Sequence, residues 1–183
     1  MRFKALIILV VTFLVAGFFS VCKKESPTIP APPSSQSPKS PSQVYPGGTK
    51  VGETAADFSA TDQNGQTVTL YQYSGKVILI NFSMATGCTE CSLEAGHLEA
   101  LFQKYKDKGF QIITLLIDGS LAYYVNEYKL TFPVLDDSSN NIWNSYGEGW
   151  VPLNIVLDRR MTIQYKEAGY DEPAIISQIE KYL

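Results

Sequence analysis

Two cysteines separated by two residues offer the clearest chemistry in the sequence. Cys88 and Cys91 stand in the stretch FSMATGCTECSLEAG, after an apolar run and before a helix-like run. Cys88 is therefore expected at the start of a helix, where free N–H groups and partial positive charge stabilise a thiolate. Cys91 follows one turn later and can attack Cys88 to resolve a mixed disulfide. The spacing predicts a redox pair with Cys88 as nucleophile.

A metal site and an inert staple are the alternatives for these thiols. Zinc commonly takes four ligands, but the chain has only Cys22 and His97 to add. His97 lies six residues after Cys91, off its helix face, and is expected to be an ordinary surface or half-buried histidine. A disulfide that closes so small a loop constrains the unfolded chain little. We therefore expect no metal and no cofactor.

Strand and helix patterns surround the pair. The residues DQNG at 62–65 predict a hairpin between two short strands. The continuous apolar runs at 76–82 and 110–117 are typical of strands buried on both faces. Between them, residues 89–106 have helical periodicity, and Leu93 is expected on the buried face with Leu98.

The remaining elements alternate in the same way. They comprise a helix at 120–129 capped by Ser120, a strand at 132–135, a helix at 139–146, a hairpin of 152–157 with 161–166, and a last helix at 172–182. This order predicts an α/β fold whose central mixed sheet carries helices on both faces, with an N-terminal β-hairpin extension.

The N-terminal third has a different composition. Residues 1–21 have a basic start and an apolar core, as in a signal peptide, and Cys22 is expected to be the lipid-modified residue of a bacterial lipoprotein. An uncleaved anchor and simple secretion are the alternatives. The Pro- and Ser-rich residues 22–50 predict an extended tether, and residues 51–183 one domain. Each alternative places that domain outside the cytoplasm, where disulfides form. The net charge of −3 and the lack of a basic cluster in the domain argue against nucleic-acid binding.

The domain resembles the thioredoxin-like TlpA/ResA type, the membrane-tethered thiol-disulfide oxidoreductases of bacterial envelopes. The resemblance rests on GKVILINF, CTEC, FPVLDD and WVPLNIVLD. It implies a thioredoxin-like fold in which Pro152 is cis and, with Val151, positions a substrate chain beside the cysteines. It also places an acid at Glu94, one turn past Cys91, where it would relay a proton. A solvated helix glutamate is the alternative.

Two departures from that family pattern surround Cys88. Gly87 replaces the usual aromatic residue, and Glu90 stands where proline is frequent. A carboxylate near Cys88 opposes thiolate formation, which predicts a stronger reductant.

The function expected from this resemblance is reduction of disulfides in envelope proteins, recharged by a membrane electron donor. Cytochrome c maturation is a common client pathway of that family. Three alternatives remain. A peroxidase of the peroxiredoxin group needs a Pro-x-x-x-Thr-x-x-Cys pattern, but Asn81 and Ala85 occupy the relevant positions. A copper carrier of the Sco type needs a histidine after His97. A thioredoxin-fold binding module with idle thiols is the third.

Overall fold

The computed structural model of this protein describes residues 42–183. The predicted signal peptide at 1–21, the lipidation of Cys22 and most of the tether lie outside the described residues. Within the described part of the chain, no helix is both long and apolar enough to cross a membrane.

A five-stranded mixed sheet forms the centre of the domain. Its order is β6-β5-β4-β7-β8. The strands are β4 (Val77–Met84), β5 (Phe110–Asp118), β6 (Val134–Asp136), β7 (Leu153–Leu157) and β8 (Ile163–Ala168). Strands β4, β5 and β6 run parallel, whereas β7 and β8 are antiparallel to their neighbours. The predicted mixed sheet with parallel first crossovers is confirmed.

Residues 42–183 contain four α-helices, of which the first three connect strands and the last follows β8. They are α1 (Thr89–Tyr105), α2 (Leu121–Tyr128), α3 (Asn141–Tyr146) and α4 (Glu172–Tyr182). Ser120 caps α2, because its Oγ accepts the Tyr123 N–H at 3.3 Å. The chain turns back after α1 through a short 3-10 helix that ends at Gly109, whose φ of 86° favours glycine.

Different elements pack against the two faces of the sheet. The hairpin face carries Ile78, Ile80 and Phe82 of β4 and packs against α3 and the N-terminal strands. The helix face carries Val77 and Leu79 and packs against α1, α2 and α4. Helices therefore lie on both faces, as the sequence predicts, since side chains alternate along a strand.

The phase of α1 corrects one expectation. Cys91, Glu94 and Leu98 face the sheet, whereas Leu93 is 61% exposed. The buried residues follow a spacing of three and four, as a helix requires, and Leu93 falls outside that series. The prediction that Leu93 belongs to the core was wrong.

The domain also begins before residue 51, the predicted boundary. Strand β1 (Gln43–Val44) pairs with β2 (Phe58–Thr61), which pairs with β3 (Thr67–Thr69) as the predicted hairpin. Ser42 is buried, and its Oγ donates to Asp137 Oδ1 at 2.6 Å. The sequence assigns residues 42–50 to the tether, because a two-residue strand beside proline and glycine leaves no detectable periodicity.

Candidate active site

Cys88 and Cys91 form a disulfide at the start of α1. Cys88 is the N-cap residue, and its Sγ accepts the Cys91 backbone N–H at 3.2 Å. Cys88 is partly exposed, whereas Cys91 is fully buried. An incoming sulfur can therefore reach Cys88, while Cys91 can exchange only with its neighbour. This asymmetry gives the two thiols different chemistry.

Gly87 allows the backbone turn that leads into α1. Its φ of 76° lies in the left-handed region, where a side chain is strained. An aromatic residue at this position would have to adopt that conformation. The departure from the family pattern at Gly87 thus has a backbone explanation.

The loop before β7 lies beside the disulfide. The Val151–Pro152 peptide bond is cis, as the resemblance implied. The Val151 carbonyl oxygen is 3.8 Å from Cys88 Sγ, so the reduced thiol can donate to it. The buried Pro152 accepts the Gly169 N–H through its carbonyl at 2.7 Å, which attaches this loop to the end of β8.

Glu94 is buried in the helix face, with only 1% of its surface exposed. Its Oε2 accepts from Asn81 Nδ2 at 2.9 Å, and its Oε1 has no hydrogen-bond partner among residues 42–183. Desolvation raises the pKa of Glu94 to about 8, although Asn154 and Asn81 oppose the shift. The carboxyl is therefore mostly protonated at pH 7 in the oxidised protein. Its burial contradicts the alternative of a solvated glutamate.

Three polar side chains cross the sheet beside this carboxyl. Thr114 of β5, Asn81 of β4 and Asn154 of β7 are register neighbours, and none is exposed. Thr114 Oγ1 donates to Asn81 Oδ1 at 3.3 Å, and Asn81 Nδ2 also donates to Asn154 Oδ1 at 3.2 Å. Asn154 Nδ2 then donates to the Gly169 carbonyl at 3.2 Å.

We call Thr114, Asn81 and Asn154 the polar row. The row joins Glu94 to the segment that holds the Pro152 loop. Sequence reasoning missed it, although one polar residue interrupts each of three apolar runs, ILINF, IITLL and LNIVL. Buried polar groups of this kind need partners, so the interruptions were a usable signal.

His97 lies on the outer face of α1. Its Nδ1 is 2.9 Å from the Tyr170 hydroxyl and 3.4 Å from Glu172 Oε2, and its side chain is 56% exposed. The prediction of a helix-surface histidine is confirmed. No group of three or more His, Cys, Asp or Glu residues in the described range could hold a metal ion.

Comparison with known proteins decides the relationship. The model of the AhpC/TSA family matches residues 51–166. The chain belongs to the AhpC/TSA family. Among its curated relatives, the thiol-disulfide oxidoreductase ResA of Bacillus thuringiensis (strain Al Hakam) is 34% identical over 113 residues, which cover 60% of this chain and 65% of the relative. A ResA of Bacillus cereus is 31% identical over 137 residues, which cover 73% of this chain and 77% of the relative.

Solved structures with a similar fold include thiol-disulfide oxidoreductases. The thioredoxin domain of a Bacteroides vulgatus thiol-disulfide oxidoreductase is 26% identical with a TM-score of 0.64, covering 74% of this chain and 99% of that one. A thiol:disulfide interchange protein from Bacteroides sp. is 25% identical with a TM-score of 0.63, covering 73% and 90%. The predicted thioredoxin-like fold and the resemblance to the ResA type are confirmed. The class that the cysteine pair predicts, that of the thiol-disulfide oxidoreductases, is also the class of these relatives.

Proposed function

We propose that this AhpC/TSA family member is a membrane-tethered thiol-disulfide oxidoreductase that reduces disulfides of envelope proteins. The observation that carries the proposal is the asymmetric disulfide: Cys88 is partly exposed at a helix start, 3.8 Å from the Val151 carbonyl, and Cys91 is buried. The names of the ResA relatives support this activity.

The reaction begins with the reduced dithiol. The Cys88 thiolate attacks one sulfur of a client disulfide, forming a mixed disulfide and releasing one client thiolate, which takes up a proton. Cys91 then loses its proton and attacks Cys88 Sγ, which re-forms the Cys88–Cys91 bond and releases the second client thiolate. Two electrons and two protons pass to the client, and a membrane donor of two electrons, with two protons taken from water, restores the dithiol.

Glu94 is proposed as the group that, in its deprotonated form, takes the proton from Cys91. A general base works best when its pKa is close to the working pH, and burial raises the pKa of Glu94 to about 8. Glu94 lies three residues after Cys91, and the side chains of both face the sheet.

Val151 and Pro152 are proposed to position the client chain, since the Val151 carbonyl already lies beside the sulfur that the client must reach. The tethering part of the proposal rests on the predicted signal peptide and on the predicted lipidation of Cys22. Both predictions favour a position outside the cytoplasm, in the periplasm or cell envelope. Apocytochrome c is one client class of this kind.

The peroxidase alternative has less support. Peroxiredoxins use an arginine to activate the peroxide, but in the described range the arginines are Arg159 and Arg160, in the turn between β7 and β8. Since β7 runs antiparallel to β4, that turn lies at the end of the sheet opposite Cys88.

A redox titration of the full chain in detergent, with free thiols trapped and counted, tests the proposal. A reversible two-electron transition near about −270 mV supports a reductase, and one near about −120 mV would indicate an oxidant instead. Cys91→Ser should accumulate a mixed disulfide with a client peptide, and Cys88→Ser should not. A disulfide that never opens under strong reductant would leave only the binding-module alternative.

A further inference from the structure

Trp150 is the most exposed large apolar residue in the described part of the chain, with 65% of its surface accessible. It directly precedes Val151, which packs against the hairpin-face core. The indole makes no hydrogen bond and no aromatic contact within residues 42–183. Covering an exposed indole removes a large apolar surface from water, and the domain leaves most of this surface open.

The bond to Cys88 fixes which part of a client chain lies near Trp150. A client sulfur bonded to Cys88 Sγ brings the client Cα to within about 6 Å of the Cys88 Cα. The next client residue lies about 3.8 Å further along its chain. Trp150 is one residue from the Val151 carbonyl, which is 3.8 Å from Cys88 Sγ. The backbones of Trp150 and of the residue next to the client cysteine therefore lie close enough for their side chains to meet.

The charges at this end of the sheet are negative. Glu90 is exposed two residues after Cys88, and Asp118 is exposed at the end of β5, where its carbonyl accepts the Ala85 N–H at 3.1 Å. Lys166 is not available as a countercharge, because its side chain is 8% exposed and its Nζ binds Glu148 at 3.2 Å.

The opposite end of the sheet carries more basic than acidic side chains, although Asp107, Asp158 and Glu180 also lie there and Glu180 is 3.8 Å from Lys104 Nζ. The basic side chains at that end lie in four places. They are Lys76 before β4, Lys104, Lys106 and Lys108 around the end of α1, Arg159 and Arg160 in the β7–β8 turn, and Lys181 near the end of α4. A cationic chain is thus attracted to the disulfide end and repelled from the other. A cation over an indole ring is also favoured.

We propose that Trp150 selects client chains, by holding the side chain next to the client cysteine, and that the preferred neighbour is a lysine or an arginine. This inference rests on the proposed reductase function. The preferred client segment is extended and cationic around its cysteine. Trp150 contributes to recognition of the client and not to electron transfer.

The test uses three peptides of one length with a single cysteine bonded to thionitrobenzoate, and with lysine, serine or glutamate on both sides. The reduced full chain in detergent attacks the peptide sulfur and releases coloured thionitrobenzoate, which reports the second-order rate constant. Variants are Trp150→Ser, Trp150→Phe and, as a control at an exposed apolar residue away from the disulfide, Val51→Ser. Hydroxyethyl disulfide serves as a small substrate without flanking residues.

We expect the lysine peptide to react about tenfold faster than the glutamate peptide at low salt, with the ratio falling as salt rises. Trp150→Ser should slow the lysine peptide about fivefold, whereas Trp150→Phe and Val51→Ser should keep most of the rate. The rate with hydroxyethyl disulfide and the reduction potential should not change in any variant.

Equal rates for the three peptides, or an unchanged lysine-peptide rate in Trp150→Ser, would overturn the inference and leave the reductase function intact. A loss of rate with hydroxyethyl disulfide in Trp150→Ser would also overturn it, since the residue would then act on the chemistry. Failure of the unaltered protein to react even with hydroxyethyl disulfide would overturn the proposed function, and the inference with it.

Discussion

The two faces of the central sheet are built by the same strands and differ in polarity. On the hairpin face, β4 contributes Ile78, Ile80 and Phe82, all fully buried and apolar. On the helix face the same strand places Asn81 between apolar neighbours, next to the buried Glu94. Burying an uncharged polar group without partners costs stability, and burying a carboxylate costs more. In β4 the buried Asn81 therefore lies on the face that contacts the redox helix, whereas the buried Asp137 near the other face is satisfied by Ser42 and by the N–H groups of Ile142 and Trp143.

The largest expected effect is on the hairpin face. Phe82→Ala removes a ring that packs edge-to-face on Trp143 at 5.5 Å and also contacts Tyr146. We expect a loss of about 3–5 kcal/mol of unfolding free energy, because the ring is fully buried. Urea unfolding of the oxidised protein measures it. The reduction potential should stay unchanged, and a clear shift in potential would show that the two faces are not separable.

The next effect is on the helix face and depends on pH. Glu94 has a pKa of about 8 in the fold, against an ordinary value of 4.5. The folded protein therefore binds an extra proton between those values, and its stability falls as pH rises, by up to about 1.4 kcal/mol per unit. Glu94→Gln should remove this slope and exceed the unaltered protein in stability at pH 8.

The matched control for that experiment is Glu90→Gln, which removes the same charge from an exposed position on the same helix. It should retain most of the slope, with a slightly lower upper pH limit, because the Glu90 charge contributes the smallest part of the raised pKa of Glu94. Urea unfolding of the oxidised proteins at pH 5, 6, 7 and 8 compares them. A slope that survives in Glu94→Gln would mean that another group takes up the proton.

A smaller change should come from the polar row. Asn81→Ala removes the donor to Glu94 Oε2 at 2.9 Å, which stabilises the charged carboxylate. The pKa of Glu94 should rise by about one unit, so the decline in stability should continue above pH 8. Thr114→Val deletes only the hydroxyl that donates to Asn81. It should therefore cause a smaller shift in the pH at which the decline in stability ends. Equal shifts in both variants would contradict a direct role for Asn81.

The smallest effect is expected at the surface of the redox helix. Glu90→Gln removes a negative charge near Cys88, so the Cys88 thiolate and with it the reduced form become more stable. The reduction potential should become less negative by about 10–20 mV, because an exposed charge is strongly screened. Titration against a defined dithiol buffer resolves this. A shift toward more negative values would contradict the predicted direction.

The sequence predicts the element order well because its strong signals are local. The apolar runs of β4 and β5, the cap at Ser120 and the cysteine pair at a strand–helix junction all describe neighbours along the chain. The cis Pro152 came from the family resemblance, since nothing in its own spacing distinguishes it from a trans proline. What was predicted well is therefore either local in sequence or shared with relatives.

The environment of Glu94 could not be derived in the same way. Its burial depends on the phase of α1, and the choice of Leu93 for the core shifted that phase by one residue. Its partner Asn81 lies 13 residues away along the chain, and Asn81 and Asn154 are 73 residues apart. Only the order of the strands in the sheet brings Asn81 and Asn154 together. Strand pairing between distant segments is the information that a single sequence lacks.

The entry point of the chain also has a consequence for how the protein is oriented. Ser42 binds Asp137, which follows β6, and β6 runs parallel to β4. The chain thus enters at the same end of the sheet as Cys88, about two strand spacings or 10 Å away in the sheet direction. If the tether acts as proposed, tension on it turns the disulfide toward the bilayer. The proposed membrane donor would then have the short route to Cys88, and a client in the aqueous space would approach from the side.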